Sequence, residues 1–369
     1  MELYKRPFCF ATNKTPYLIS GGTLINRFLG LDDDAEPRTS QLWIASTVQS
    51  VLDNATDSCS CLTPEDGGAC FPELLESAPS AYLGPDHART FGPEPAMLLK
   101  LLNSDNRLLV QVHPTRDKAQ RYFEFPFGKT EAWYVLETEG KAFVWAGFVP
   151  GVTLSNFRRL IEAQDSERIL ACLHRFSIKK GDLIRIPAGL PHAMGAGSLV
   201  AEIQEPSDIT LRAERFRPDG VELPEYALHS GIGMDGLLDC FDFSPLTSEE
   251  TRKRIFHSPR TLFESSEGRI QELIDSHFIF SLRRVECNGN LEGHNDSFVV
   301  GLSLAGRGSV RGNGYVQPLN KGSEFFLPHG VKEYVYSGEK LVLLECRVRP
   351  ETTQSFNIAE DLAAARRVL

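Results

Sequence analysis

The sequence predicts a mainly β chain built from two related β-domains, and three observations carry that prediction. A template of two glycines and a proline occurs twice, as Gly181-Asp-Leu-Ile-Arg-Ile-Pro187-Ala-Gly189-Leu-Pro-His192 and as Gly322-Ser-Glu-Phe-Phe-Leu-Pro328-His-Gly330-Val-Lys-Glu333. Self-similarity far along a chain marks a repeated structural unit. Short runs rich in aromatic and β-branched residues, punctuated by Gly, Pro and Asn, recur on both sides of mid-chain, the pattern of a barrel or sandwich. At 369 residues the chain is also long enough for two separate cores.

The elements follow in order. Residues 98–114 (LLKLLNSDNRLLVQVHP) hold two short apolar runs around an Asn/Ser/Asp turn. Residues 131–148 (EAWYVLETEGKAFVWAGF) read as two strands with a hairpin turn at Glu139-Gly140. From about 153 to 174 the period changes. Phe157, Leu160 and Ile161, then Ile169, Leu170 and Leu173, fall at helical spacing, with Asp165-Ser166 as a second N-cap, so a helical insert is expected. Residues 175–212 then hold at least four short strands between Gly and Pro breaks. Residues 221–274 read as a partly helical connector, with Ser248 capping EETRKRIF. Strand patterns return from His277, and NIAEDLAAARRVL closes the chain as a short amphipathic helix. The expected division is thus 1–220 as the first domain, 221–274 as connector, and 275–369 as the second domain with its terminal helix.

Composition narrows the function classes. The chain is 41% hydrophobic and 24% charged, as an ordinary globular protein is. Its formal net charge of −10 argues against a broad nucleic-acid footprint and against anionic membranes, while a small anion in a locally basic cleft is compatible with it. No apolar run has signal-peptide or transmembrane character, so a cytoplasmic protein is expected, and its eight cysteines should be thiols. Cys172 and Cys346 lie in apolar contexts and read as core residues. Cys59, Cys61 and Cys70 form a cluster without a fourth partner at zinc-finger or ribbon spacing, and read as loop cysteines.

The chemistry-bearing side chains gather on the strands of the first β-region. Gln111 and His113 stand at i and i+2, hence on one face of a strand. Glu131 opens the next strand and His192 ends the first template. Two imidazoles, a carboxylate and an amide oxygen converging inside a barrel suit a divalent metal, with zinc favoured by the nitrogen donors. Taken singly, each has an ordinary reading: a hydrogen-bonded core histidine, a solvated strand terminus. Convergence requires a barrel that brings these positions to one mouth.

The segments PAMLLKLLNSDNRLLVQVHP, GKTEAWYVL, KGDLIRIPAGLPHA and LVAEIQEPSDITLR carry a resemblance. In content, order and separation they resemble the type I mannose-6-phosphate isomerases (phosphomannose isomerases) of the cupin superfamily, from about Trp43 to Arg212. The resemblance implies two cupin (jelly-roll) barrels, the second degenerate. It implies one Zn²⁺ per chain held by Gln111, His113, Glu131 and His192. It also implies a catalytic arginine at Arg212, following the pattern Ser207-Asp208-x-x-x-Arg212. The implied reaction is interconversion of mannose 6-phosphate and fructose 6-phosphate through a cis-enediol intermediate. Lys129 shares the face of Glu131 and is a catalytic or substrate-binding residue, as Arg212 is, and Glu202 is a substrate-contacting or acid/base residue. The partner is a small-molecule sugar phosphate, the protein a monomer or homodimer.

Two departures from the family pattern lie near the presumed mouth: Ala213-Glu214-Arg215-Phe216-Arg217 follows the arginine, and SQLWIAS surrounds Trp43. They keep two alternatives open, an isomerase of a different aldose and a non-catalytic cupin that binds a sugar or sugar phosphate. Retention of all four ligands weighs against the latter, because binding alone does not demand a polarising metal. In the second copy, Glu333 replaces the histidine. The offset from Glu131 to Gly140, counted back from Gly306, gives Ser297. With His294 these make no zinc site, so the second barrel is expected to be structural.

Overall fold

The structure is a computed structural model, and it describes residues 2–15, 18, 21–32, 38–50, 58–103, 105–274 and 280–348. It is mainly β, with two β-barrels side by side. In the first, a six-stranded sheet runs in the order Phe256–His257, Leu183–Ile186, Glu131–Thr138, Ser198–Gln204, Leu98–Asn103, Gln41–Ile44. It faces a five-stranded sheet in the order Leu211–Arg212, Gln111–Val112, His192–Met194, Ala142–Phe148, Leu173–Ile178. Trp133, Val135, Ile184 and Val200 from one sheet meet Val144, Ala146, Phe176 and Met194 from the other, and this apolar packing fills one end of the barrel. The hard side chains are left at the other end.

Ser198–Gln204 shows why its sequence, SLVAEIQ, does not alternate cleanly. Val200, Glu202 and Gln204 face into the barrel while Leu199, Ala201 and Ile203 face a second apolar layer, so every residue is buried. That layer joins the barrels: Leu99, Leu101, Ala132 and Ile203 of the first pack with Leu282, Val300, Leu302, Phe326 and Leu344 of the second.

The turn at Glu139-Gly140 forms, with Gly140 at φ +63°, but it does not close a hairpin. Glu131–Thr138 pairs with Ser198–Gln204 and Leu183–Ile186, whereas Ala142–Phe148 pairs with Leu173–Ile178 and His192–Met194. The turn is a corner at which the chain passes from one sheet to the facing one. A tight glycine turn between two apolar runs serves both geometries, so local pattern does not separate them.

The helical insert is present as Leu154–Ala163 and Ser166–Ala171. Thr153 and Asp165 cap them, each side chain accepting from a backbone N–H of the first turn. Phe157, Ile161 and Ile169 pack on Val110, Val112 and Leu211, the outer face of the five-stranded sheet. The later helix Ser248–Ile255 is capped by Thr247 rather than Ser248, which occupies the first helical position. Thr247 and Glu250 form a reciprocal capping box, so the T-x-x-E signature outranks the serine.

Downstream, Arg260–Glu264 pairs with Gly268–Ile274, which in turn pairs with Phe280–His294, so strands begin before residue 275. The eight-stranded sheet runs Phe8–Cys9, Glu324–Leu327, Val299–Gly312, Glu333–Val348, Phe280–His294, Gly268–Ile274, Arg260–Glu264, with Tyr315–Asn320 paired to Val299–Gly312. An N-terminal strand thus completes the second barrel. The proposed C-terminal helix lies outside the described residues.

The repeated template is a real structural repeat. Gly181 and Gly322 are both left-handed, at φ +90° and +87°. Leu190 N–H donates to the Pro187 carbonyl and Val331 N–H to that of Pro328, at 3.1 and 3.0 Å. The second glycine differs in its reason. Gly189 has φ +87°, whereas at Gly330 a Cβ would sit 2.2 Å from the Tyr4 carbonyl. Among the described residues no helix is long and apolar enough to cross a membrane.

Candidate metal centre

Gln111 and His192 are direct partners on adjacent strands, and Glu131 lies in the facing sheet opposite Ile186. All three side chains and that of His113 are buried. His113 Nδ1 lies 3.0 Å from the Ile209 carbonyl and His192 Nδ1 lies 2.9 Å from that of Leu190. Each Nδ1 therefore carries the proton, and each Nε2 lone pair is turned inward. There the His113 Nε2 stands 3.3 Å from Glu131 Oε2, and the His192 Nε2 stands 3.3 Å from Glu131 Oε1. The donor atoms of His113, Glu131 and His192 fall within 4.8 Å of one another.

Gln111 adds the fourth group, its amide 3.1 Å from His192 Nε2. A half-turn of that amide exchanges oxygen for nitrogen, and its oxygen is the donor a metal requires. Among the described residues, neither oxygen of Glu131 accepts a hydrogen bond of normal geometry. A buried carboxylate facing two imidazole lone pairs is stable only beside a cation. In this structure the Lys129 ammonium is the nearest one, 3.3 Å from Glu131 Oε2 and 3.2 Å from His113 Nε2, and it stands in for positive charge at the centre. The donor set, nitrogen-rich with one carboxylate, fits zinc.

The electrostatics agree. Burial pushes the Glu131 carboxyl up, but the Lys129 ammonium outweighs it and holds the group well below the usual carboxylate range. Burial, with help from Lys129, lowers His113 to about 3, so the imidazole is neutral as a ligand must be.

A second row of side chains crosses the same sheet on its inner face. Trp43, Lys100, Glu202 and Trp133 are successive strand partners. Trp133 Nε1–H donates to Glu202 Oε2 at 3.2 Å, and the Trp133 ring packs on His192. Burial and the Glu131 charge raise the Glu202 pKa. Lys100 was not singled out from the sequence. Its Nζ is 4.4 Å from the Trp43 ring centroid and 3.8 Å from Asp208 Oδ1. The signal was there to read: one lysine inside the apolar strand LLKLLN, on the inward parity.

Arg212 is the strand partner of Gln111, and it is buried. One nitrogen, Nη1, donates to the Thr210 and Ala227 carbonyls, both at 3.0 Å. Its side chain is thus tied to backbone carbonyls beside the strand that carries Gln111. Two departing residues turn out to support the site. Glu214 is fully buried, is held by Arg107 through two 2.7 Å bonds, and accepts the Val110 N–H at 2.6 Å, fixing the strand that carries Gln111. Ala213 joins the apolar packing behind that strand. Glu205 does similar work for Glu131, accepting from Thr130 N–H at 2.9 Å and Arg116 Nε at 2.6 Å.

The second barrel has no equivalent centre among the described residues. Glu333 and His294 are exposed and pair with each other at 2.6 Å on the surface. Val299, the partner of Leu327, occupies the place that Glu131 has beside Ile186. Cys59, Cys61 and Cys70 likewise form no metal-holding group.

Two jelly-roll barrels, one with a buried His/Glu/His/Gln centre at its polar end, define a metal-dependent cupin. No model of a protein family matches the chain. It is 27% identical over 319 residues to a probable mannose-6-phosphate isomerase, GmuF, of Bacillus subtilis (strain 168), covering 86% of this chain and 92% of that one. A mannose-6-phosphate isomerase of Streptococcus mutans is 26% identical over 271 residues, covering 72% and 80%. Among solved structures, the mannose 6-phosphate isomerase from Bacillus subtilis superposes with a TM-score of 0.72 at 23% identity, over 93% of this chain and 99% of that one. A zinc-bound mannose 6-phosphate isomerase superposes at 0.70 with 16% identity, over 93% and 99%. Over most of its length the chain is thus similar, in sequence and in fold, to mannose-6-phosphate isomerases (phosphomannose isomerases).

Proposed function

We propose that the protein is a zinc-dependent aldose–ketose isomerase that interconverts mannose 6-phosphate and fructose 6-phosphate. The observation that carries this reading is the buried Glu131 carboxylate, with no hydrogen-bond donor of normal geometry, facing two inward-turned Nε2 atoms. Gln111, His113, Glu131 and His192 would hold the metal, one ion per chain. When bound, it acts as a Lewis acid toward the sugar oxygens. A proton leaves C2 and returns at C1 through a cis-enediol. Glu202 is the carboxylate placed to take it, since burial makes it a stronger base than an exposed glutamate. Lys129, whose ammonium lies 3.2 Å from His113 Nε2, would supply an N–H to the carbonyl oxygen. Lys100 and Arg212 contribute fixed positive charge for developing oxyanion or phosphate.

In this reading residues 1–220 form the catalytic unit, and the strands after the connector (221–274) support it. The protein works in the cytoplasm on a free sugar phosphate, as a monomer or homodimer, without a nucleic-acid or membrane partner. The acidic net charge of −10 is in keeping with that, and the barrel's buried cations supply the local attraction.

The test is to measure bound metal and to assay both directions of the isomerisation with and without a chelator. Turnover should vanish with the metal and in His192→Ala. Arg212→Ala should lower turnover by about 10²-fold or more with metal content unchanged. Full activity in the stripped protein would overturn the zinc reading; full metal without turnover on any aldose phosphate would favour a binding module.

A further inference from the structure

The active site leaves one cluster unused, the three cysteines of the segment after strand Gln41–Ile44. Two of them stand opposite each other: Cys61 and Cys70 form an isolated antiparallel bridge. Leu62 N–H donates to the Ala69 carbonyl at 3.0 Å and Phe71 N–H to the Ser60 carbonyl at 2.9 Å. The bonds flank the pair instead of running between its members, which makes it a non-hydrogen-bonded pair. In that register facing Cα atoms lie about 4.5 Å apart with side chains at closest approach, inside the span of roughly 4.4–6.8 Å that a disulfide bridges.

We propose that Cys61 and Cys70 are a modification site, a cross-strand pair that closes to a reversible disulfide. The register is held from outside as well. Ala11 N–H donates to the Cys61 carbonyl and Thr63 N–H to the Cys9 carbonyl, both at 3.0 Å. Asp66, in the loop between the two cysteines, pairs with Arg6 Nη1 at 2.6 Å and accepts the Cys9 N–H at 2.7 Å. The sulfurs therefore meet without rearranging the backbone.

Accessibility selects this pair over the other thiols. Of the eight cysteines, Cys61 is the exposed one, while Cys240, Cys287 and Cys346 are buried. Burial pushes the Cys9 and Cys240 thiols up to about 12, away from the reactive thiolate. Cys59 is engaged by Gln49 Nε2 at 3.4 Å, whereas the bridge pairs Cys61 with Cys70.

The oxidant is a low-molecular-weight disulfide such as oxidised glutathione. The Cys61 thiolate attacks one sulfur, the S–S bond breaks, and one glutathione thiolate leaves. The Cys70 thiolate then displaces the second glutathione thiolate from the mixed disulfide. Two protein thiols give up two electrons to the small disulfide, and their two protons end on the two released thiols. Closure pins the segment against the site wall, since Ser60 Oγ donates to the Trp43 carbonyl at 3.2 Å and Trp43 lies over Lys100.

The test uses the folded, full-length protein in glutathione buffers of rising oxidised fraction, followed by alkylation and digestion without reduction. A peptide pair joined through Cys61 and Cys70 should appear, with two fewer alkylated cysteines, and should vanish on return to reduced glutathione. Cys61→Ser and Cys70→Ser should each abolish it, and Cys59→Ser should not; circular dichroism checks that the variants fold. The linked protein should melt a few degrees higher than the reduced one. Glutathione adducts alone, a linkage through Cys59, or a linkage that forms only in the unfolded chain would overturn the proposal.

Discussion

At the scale of single residues, two buried glutamates separate function from fold. Glu131 has the Lys129 ammonium beside it, which holds it ionised. Glu324 has none. It lies opposite Leu302 in the apolar layer between the barrels, neither oxygen has a hydrogen-bond partner among the described residues, and burial raises its pKa well above 4.5. The folded state keeps that proton where the unfolded state loses it. Stability should therefore fall as pH rises from 4.5 toward the folded pKa, by about 1.4 kcal/mol per pH unit from this group. Glu324→Gln should remove that slope, read as the difference between urea-melt profiles of the two proteins; parallel profiles would mean the carboxyl is solvated. His113, Glu131 and His192 were legible as metal-capable side chains, since two imidazoles and a carboxylate fall on the strands of one β-region, and they do converge. Lys100 was equally visible yet went unread, since a lone lysine gains meaning only when Glu202 and Trp43 are known to flank it.

At the scale of elements, local signals worked where local forces decide. The insert helices appear where their periodicity and caps put them, because a side chain bonding its own first turn needs nothing distant. The helix Ser248–Ile255 sharpens the rule, as its cap is Thr247. Thr247→Ala should cost about 1 kcal/mol, with Ser248→Ala near neutral, both measured by chemical denaturation; the reverse order would put the cap at Ser248. The Glu139-Gly140 turn marks the limit. Its glycine is correctly placed in a left-handed turn, but whether the flanking strands pair or part depends on partners tens of residues away.

At the scale of the whole molecule, an apolar layer joins the second barrel to the first. Phe326 stacks with Phe8 and Phe298 at centroid distances of 5.3 and 5.5 Å and meets Phe71 edge-on at 5.2 Å, tying the N-terminal strand to the layer beneath the catalytic sheet. Phe326→Ala should destabilise the protein by about 3–5 kcal/mol. The metal content of the folded fraction should be unchanged, because Glu131 lies on the opposite face of that sheet and His192 in the sheet that faces it. Lost metal at full stability would contradict this separation.

The sequence by itself determined the β class, the duplicated turn, the insert and the identity of the metal-capable side chains. Each follows from steric and hydrogen-bonding preferences acting over a few residues, or from donor chemistry that no fold alters. Tertiary structure alone decided which strands face each other and that Glu214 and Glu205 brace the ligand strands. It also set Lys100 beside Glu202, and Cys61 opposite Cys70. These are cross-strand relations, and register between distant strands is set by how whole faces bury, a property of the assembled sheet rather than of any one segment.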